Sequence, residues 1–211
     1  PVASALLGAG LLGAWWAERP PAGFGDPTAP APVPAVGPGP QRAPVVPAPV
    51  GVRPAAPAPP APVAAPVALR VADLGIDAPV DPVGVTGDGA VQVPADGARA
   101  GWYRFGPVPG EGGSAVLVGH VDTARDGPGA LHPLARAEAG QVVEVVLADG
   151  TARRFAVTAR REVAKAELPV QELFERTGPA RLVLVTCGGE FDEQARSYAS
   201  NVVVAAQPLP T

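Results

Sequence analysis

The chain has 211 residues, among them 29 prolines, 26 glycines, two histidines and a single cysteine, with 16 basic against 20 acidic side chains and a formal net charge of −4. One cysteine excludes an internal disulfide framework and a multi-cysteine zinc site, two histidines leave any metal site to carboxylates that do not cluster, and the weakly acidic balance excludes a surface for nucleic acid or polyphosphate. Because 17 of the 29 prolines fall between Pro20 and Pro66, the chain is not one uniform domain.

Residues 1–17, PVASALLGAGLLGAWWA, carry no charge and end at Glu18-Arg19-Pro20. Seventeen residues is the lower edge of what spans a bilayer, and Trp15-Trp16 stands where an interfacial aromatic belt would lie. We read this run as an N-terminal membrane anchor. The alternative is a secretory signal core, against which no small-residue cleavage site follows the tryptophans. Residues 18–66 alternate Pro, Ala, Val and Gly. Proline at this density removes backbone donors and holds its neighbours extended, so neither helix nor sheet propagates. The segment is expected to be a disordered, semi-rigid linker, reaching on the order of 100 Å at ~3.1 Å per residue. A PxxP-type ligand is the rival reading, but the paired basic residues of such motifs are missing.

From residue 67 to 211 the pattern changes to short β-like runs between turn signals. The runs are ALRVADLGI (68–76), AVQVP (90–94), SAVLVGH (114–120), QVVEVVLA (141–148), ARRFAVTARREV (152–163), RLVLVTC (181–187) and NVVVAA (201–206). Gly87-Asp88-Gly89 and Asp149-Gly150 are turns, the second a strong hairpin signal. Helix is confined to residues 129–137 and 168–176, where Pro169 suits a first helical turn. Many short strands and little helix predict a mostly β domain, a closed or nearly closed barrel.

Cys187 ends the apolar run LVLVTC and is followed at once by Gly188-Gly189, which puts a thiol at a strand mouth where backbone is free to approach a ligand. Outside the cell an unpaired thiol is a liability unless it is used; the bland reading is an inert buried cysteine. His120 ends the apolar run AVLVGH in the same way. If the two strands run parallel, imidazole and thiol share one rim, and that pair supplies a nucleophile and a proton carrier. His132, before Pro133 in a short helix, reads as structural or surface. Acyl chemistry also needs charge or donors where an oxyanion forms. Arg196, in the loop returning towards the NVVVAA strand, is the candidate, with Arg104 and Arg181 as fallbacks. Asp122 stands where it would orient His120, while Glu190 and Asp192 read as loop residues.

The segments GWYR (101–104), Pro109-Gly110, VGHVD (118–122), LVTCGG (184–189) with Phe191-Asp192, and Tyr198 with NVVV (201–204) resemble, in that order, a sortase, specifically the actinobacterial class F group. The resemblance covers residues 68–207. It implies an eight-stranded β-barrel with short helices behind a membrane anchor and a flexible or proline-rich stalk. It also implies transpeptidation: attack on the Thr–Gly carbonyl of an LPXTG-like sorting signal, a thioacyl intermediate, and resolution by an amine. Cys187 carries over as nucleophile and His120 as general acid/base. Relatives place the arginine either in an RSY segment or in a YRDN segment. Arg196-Ser197-Tyr198 matches the first, whereas Ala199-Ser200 stands in the second, so the role goes to Arg196.

The order His before Cys argues against papain-like and NlpC/P60-like peptidases, and the Ser-His-Gly-Cys run of an L,D-transpeptidase and the Gln-Ala-Cys segment of a caspase are missing. The alternatives that stay open are a membrane-tethered hydrolase of the same fold and a β-domain that binds a partner without catalysis. No cofactor is expected. The expected partners are a sorting-signal peptide of secreted surface proteins, an amine acceptor from a cell-wall precursor or another protein, and the membrane, with the catalytic domain on the extracellular face.

Overall fold

A computed structural model describes residues 22–29 and 64–210; the apolar run 1–17 and most of the linker lie outside the described residues. The first strand, β1 (Pro66–Val71), does not continue through residue 76 as its apolar pattern suggested. A 3-10 turn over Ala72–Leu74 and a left-handed Gly75 (φ 67°) reverse the chain, and Val71 then faces Ile76 at the start of β2 (Ile76–Val83). A single glycine able to adopt positive φ thus turns one expected strand into a hairpin.

The expected strand at 90–94 makes only an isolated bridge, Val85 to Val91. The next strand is instead β3 (Ala100–Tyr103), which was too short to read. Then follow β4 (Ser114–Gly119), a two-residue pair β5 (Asp122–Thr123) and β6 (Gly127–Pro128), β7 (Val142–Leu147) and β8 (Ala152–Ala164), joined at the expected Asp149-Gly150 turn. The last strands are β9 (Arg181–Asp192) and β10 (Ser197–Pro208), each longer than its apolar run. Glu190 and Asp192 therefore belong to a strand rather than a loop. The two expected helices shrink to a 3-10 turn at His132–Arg136 and a single turn, α1 (Val170–Leu173), for which Pro169 is the preceding cap.

Eight strands close a barrel in the order β1-β2-β3-β4-β9-β10-β8-β7. Two pairs are parallel, β2–β3 and β4–β9, and the rest antiparallel. Inward side chains such as Leu69, Leu117, Val143, Phe155, Leu184 and Val204 fill the interior. A second cluster lies outside β4, β9 and β10, where Leu173 of α1 packs on Val116, Val118, Val183 and Val203. Strand β4 is consequently buried on both faces along its whole length. That double burial is why SAVLVG reads as an apolar run; along β7 it is the burial that alternates, every second residue facing the interior.

Candidate active site

Strands β4 and β9 are parallel neighbours, in register from Ser114 opposite Arg181 to Val118 opposite Val185. One step further lie Gly119 and Thr186, then His120 and Cys187. The Thr186 hydroxyl donates to the Gly119 carbonyl at 2.9 Å and is buried. This bond locks the end of β4 to the middle of β9, one residue before the imidazole and the thiol. The expected shared rim therefore exists, and its cause is the parallel pairing.

Cys187 is half-buried, unpaired with any other sulfur, and faces Asn201 across the β9–β10 ladder. His120 is also half-buried, with Nε2 3.0 Å from the Pro94 carbonyl. A carbonyl only accepts, so Nε2 carries a proton and donates it there. The 90–94 segment, in place of a strand, thus supplies the acceptor that orients the ring. On the other side, the His120 carbonyl accepts from the Leu131 N–H at 3.1 Å. His132 is exposed, and its Nδ1 donates to the Val121 carbonyl at 3.2 Å. It braces the loop after His120 and faces no chemistry, as its sequence position suggested.

Two hollows meet at Cys187. The first, of about 420 Å³, is bordered by His120, Asp122, Cys187, Phe191, Arg196 and Tyr198 among others. Arg196 is exposed and has no hydrogen bond or ion pair to another described residue. It sits at φ 50°, the left-handed position of the tight turn between Asp192 and Ser197, which pair as the last rungs of β9 and β10. The Asp192 carboxylate caps this turn by accepting from the N–H groups of Gln194 and Ala195 at 2.8 and 2.9 Å. A non-glycine residue with positive φ is uncommon and clusters at functional turns.

The same hollow holds a contact that sequence gave no means to see. The Tyr198 hydroxyl donates to Asp122, and its ring meets Phe191 edge-on at 5.1 Å. That hydrogen bond, with burial and the Asp122 and Cys187 charges, pushes the Tyr198 phenol up to about 12. Asp122 therefore engages Tyr198 and makes no contact that would orient His120. The fallback arginines are elsewhere. Arg104 stacks on Phe105 at 4.8 Å and borders neither hollow. Arg181 opens β9, six residues and roughly 20 Å from Cys187 along the strand. It is buried there, on the Ser114 hydroxyl and the Glu172 and Pro27 carbonyls.

The second hollow, of about 440 Å³, is apolar, with Val85, Val93, Tyr103, Val170, Phe174 and Cys187 among its walls. Tyr103 and Phe174 meet edge-on at 5.2 Å. Six large apolar side chains are exposed among the described residues. Three of them, Val85, Val93 and Val170, line this groove, and a fourth, Phe191, lines the first hollow. Exposed apolar surface is thus gathered around the thiol instead of scattered, which marks a binding site. No group of three or more metal-ligating side chains occurs among the described residues.

None of the curated proteins matches the chain. Among solved structures it is similar to a lid mutant of sortase A from Corynebacterium diphtheriae (15% identity, 71% of this chain and 72% of that one, TM-score 0.52). It is also similar to sortase C-1 from Actinomyces oris (16%, 68% and 73%, TM-score 0.52) and to sortase A of Listeria monocytogenes (16%, 70% and 88%, TM-score 0.51). At such identities the likeness speaks for the fold alone. Residues 69–209 match the family model of the sortase domain, from the first barrel strand to the last, and the chain accordingly belongs to the sortase family, whose members are cysteine transpeptidases.

Proposed function

We propose that this protein is a class F sortase that cleaves an LPXTG-like sorting signal between Thr and Gly and passes the acyl group to an amine. The observation that carries the reading is the position of Cys187: on one side His120 and Arg196, on the other a groove of exposed apolar side chains. The groove suits the Leu-Pro part of the peptide, and the polar hollow suits the bond that breaks. The Cys187 thiolate attacks the Thr carbonyl carbon, forming the S–C bond. Arg196 donors hold the negative oxygen of the tetrahedral adduct. The C–N bond to Gly then breaks, and the imidazolium of His120 gives its proton to the departing amine. Because Nε2 is committed to the Pro94 carbonyl, the proton exchanged is the one on Nδ1. An incoming amine attacks the thioester carbonyl, neutral His120 takes its proton, and the S–C bond breaks to restore the thiolate.

The reading includes an anchor at residues 1–17 and a catalytic domain on the extracellular face, serving secreted surface proteins. The test is mass spectrometry of the protein incubated with Leu-Pro-x-Thr-Gly peptides and a panel of amines. An acyl adduct on Cys187 and an amide product are expected. Water-derived product with every amine would reduce the activity to peptide hydrolysis, and no adduct with any peptide would overturn the substrate class.

A further inference from the structure

Residues 22–29 lie inside the stretch whose composition reads as linker, yet they are bound to the barrel. Strand β7 pairs with β8 as far as Ala156, and Gly140 and Gln141 just before it extend the main-chain bonding to Val157, beyond which the β8 edge is open on that side. Phe24 occupies the edge at Arg160: its N–H donates to the Arg160 carbonyl at 2.8 Å, and the Arg160 N–H returns a bond to the Phe24 carbonyl at 2.7 Å. The Phe24 ring packs on the barrel core, under the Arg160 guanidinium at 5.3 Å.

Three arginines of the barrel then hold the segment by its carbonyls. Arg160, buried, donates to Ala22 and also to Ala137, both at 2.6 Å. Arg161 donates to Gly25 at 2.7 Å, and buried Arg181 to Pro27 at 3.1 Å. Gly25 has φ 65°, and a Cβ there would stand 2.4 Å from the Thr158 carbonyl oxygen. Beyond it, Asp26 closes a turn by accepting from the Thr28 N–H and hydroxyl at 2.9 and 2.7 Å. Main-chain bonds, an inserted ring, buried guanidinium donors and a glycine that admits no side chain together describe a fitted contact.

We infer that residues 22–29 are a clamp by which the barrel holds its own N-proximal segment. The reach between the barrel and residues 1–17 is then set by the chain before residue 22 and not by the length of the proline-rich stretch. From Ala17 to Ala22 is five residue steps, no more than about 18 Å of extended chain, against the order of 100 Å that the whole proline-rich stretch would allow in polyproline form. The clamp holds the barrel within that short reach of the apolar run.

The test measures a distance in the full chain. In a Cys187→Ala background, Glu18→Cys and Ala139→Cys carry spin labels, and double electron–electron resonance reports their separation. Residue 139 lies two positions from the Ala137 carbonyl that shares Arg160 with Ala22. The expected result is a narrow distribution below about 35 Å. Gly25→Val, which puts a side chain at positive φ against β8, should broaden it and move it outward. A broad, long distribution in the parent overturns the clamp by itself, whether or not any variant folds. A narrow peak that Gly25→Val leaves unchanged overturns the assignment of the contact to residues 22–29.

Discussion

The two ends of the parallel β4–β9 pair are built for opposite purposes. At the end where β9 begins, Arg181 is buried with its donors on Ser114, Glu172 and Pro27. At the other end Cys187 and His120 are half-buried between two hollows, and Arg196 beside them is exposed and unengaged by described residues. The difference separates two kinds of arginine. A guanidinium whose donors are spent on fixed acceptors holds structure, whereas one standing at the cleft with donors to spare is available to a developing negative charge.

The sharpest break of this contrast is Cys187→Ala. It should abolish the acyl adduct and all turnover while leaving the thermal unfolding midpoint near that of the parent, as read by mass spectrometry and calorimetry. Next is His120→Ala, expected to cost about 10²–10⁴ in kcat, the range for general acid–base catalysis. Arg196→Ala should lose about 10²–10³ in kcat with unchanged stability. Arg181→Ala should do the reverse, losing about 1–3 kcal/mol of stability in denaturant titration while the folded fraction keeps its rate. If Arg196→Ala proves silent in kcat, or Arg181→Ala silent in stability, the division of roles is wrong.

The smallest effect concerns pH. The neutral Tyr198 phenol donates to Asp122, and its raised pKa means that this contribution to the folded state is complete below about 10 and is lost as pH rises through about 12. In a Tyr103→Phe variant, where one tyrosine remains, phenolate absorbance should develop near 12. Asp122→Ala should bring that midpoint back towards about 10. A midpoint near 10 with Asp122 intact would show the contact to be open in solution.

Much of this arrangement was legible where burial writes itself into composition. The runs ending in His120 and Cys187 are apolar because β4 and β9 are covered on both faces, so sequence placed a reactive side chain at the mouth of each. What it missed depends on distant partners. The hairpin at Gly75 interrupts a pattern that looks unbroken, and the four residues of β3 are too few to show a period. The Pro94 carbonyl that orients His120 has no side-chain signature, since any residue offers a carbonyl. Asp122 looked like a partner for its near neighbour His120, but the ring that takes its carboxylate, Tyr198, is 76 residues away. Phe24 is hidden in the same way, a lone aromatic among prolines whose counterpart is the open edge of a strand formed much later in the chain.

The Thr186–Gly119 bond joins residues 67 positions apart. Parallel pairing over such a separation has to meet the cost of closing a long loop before it is rewarded, and it belongs to the slower class of folding events. Until β9 has docked beside β4, Cys187 is a thiol on an extended chain with no imidazole near it. The juxtaposition of His120 and Cys187 therefore comes into being only when β9 docks beside β4 and the barrel closes.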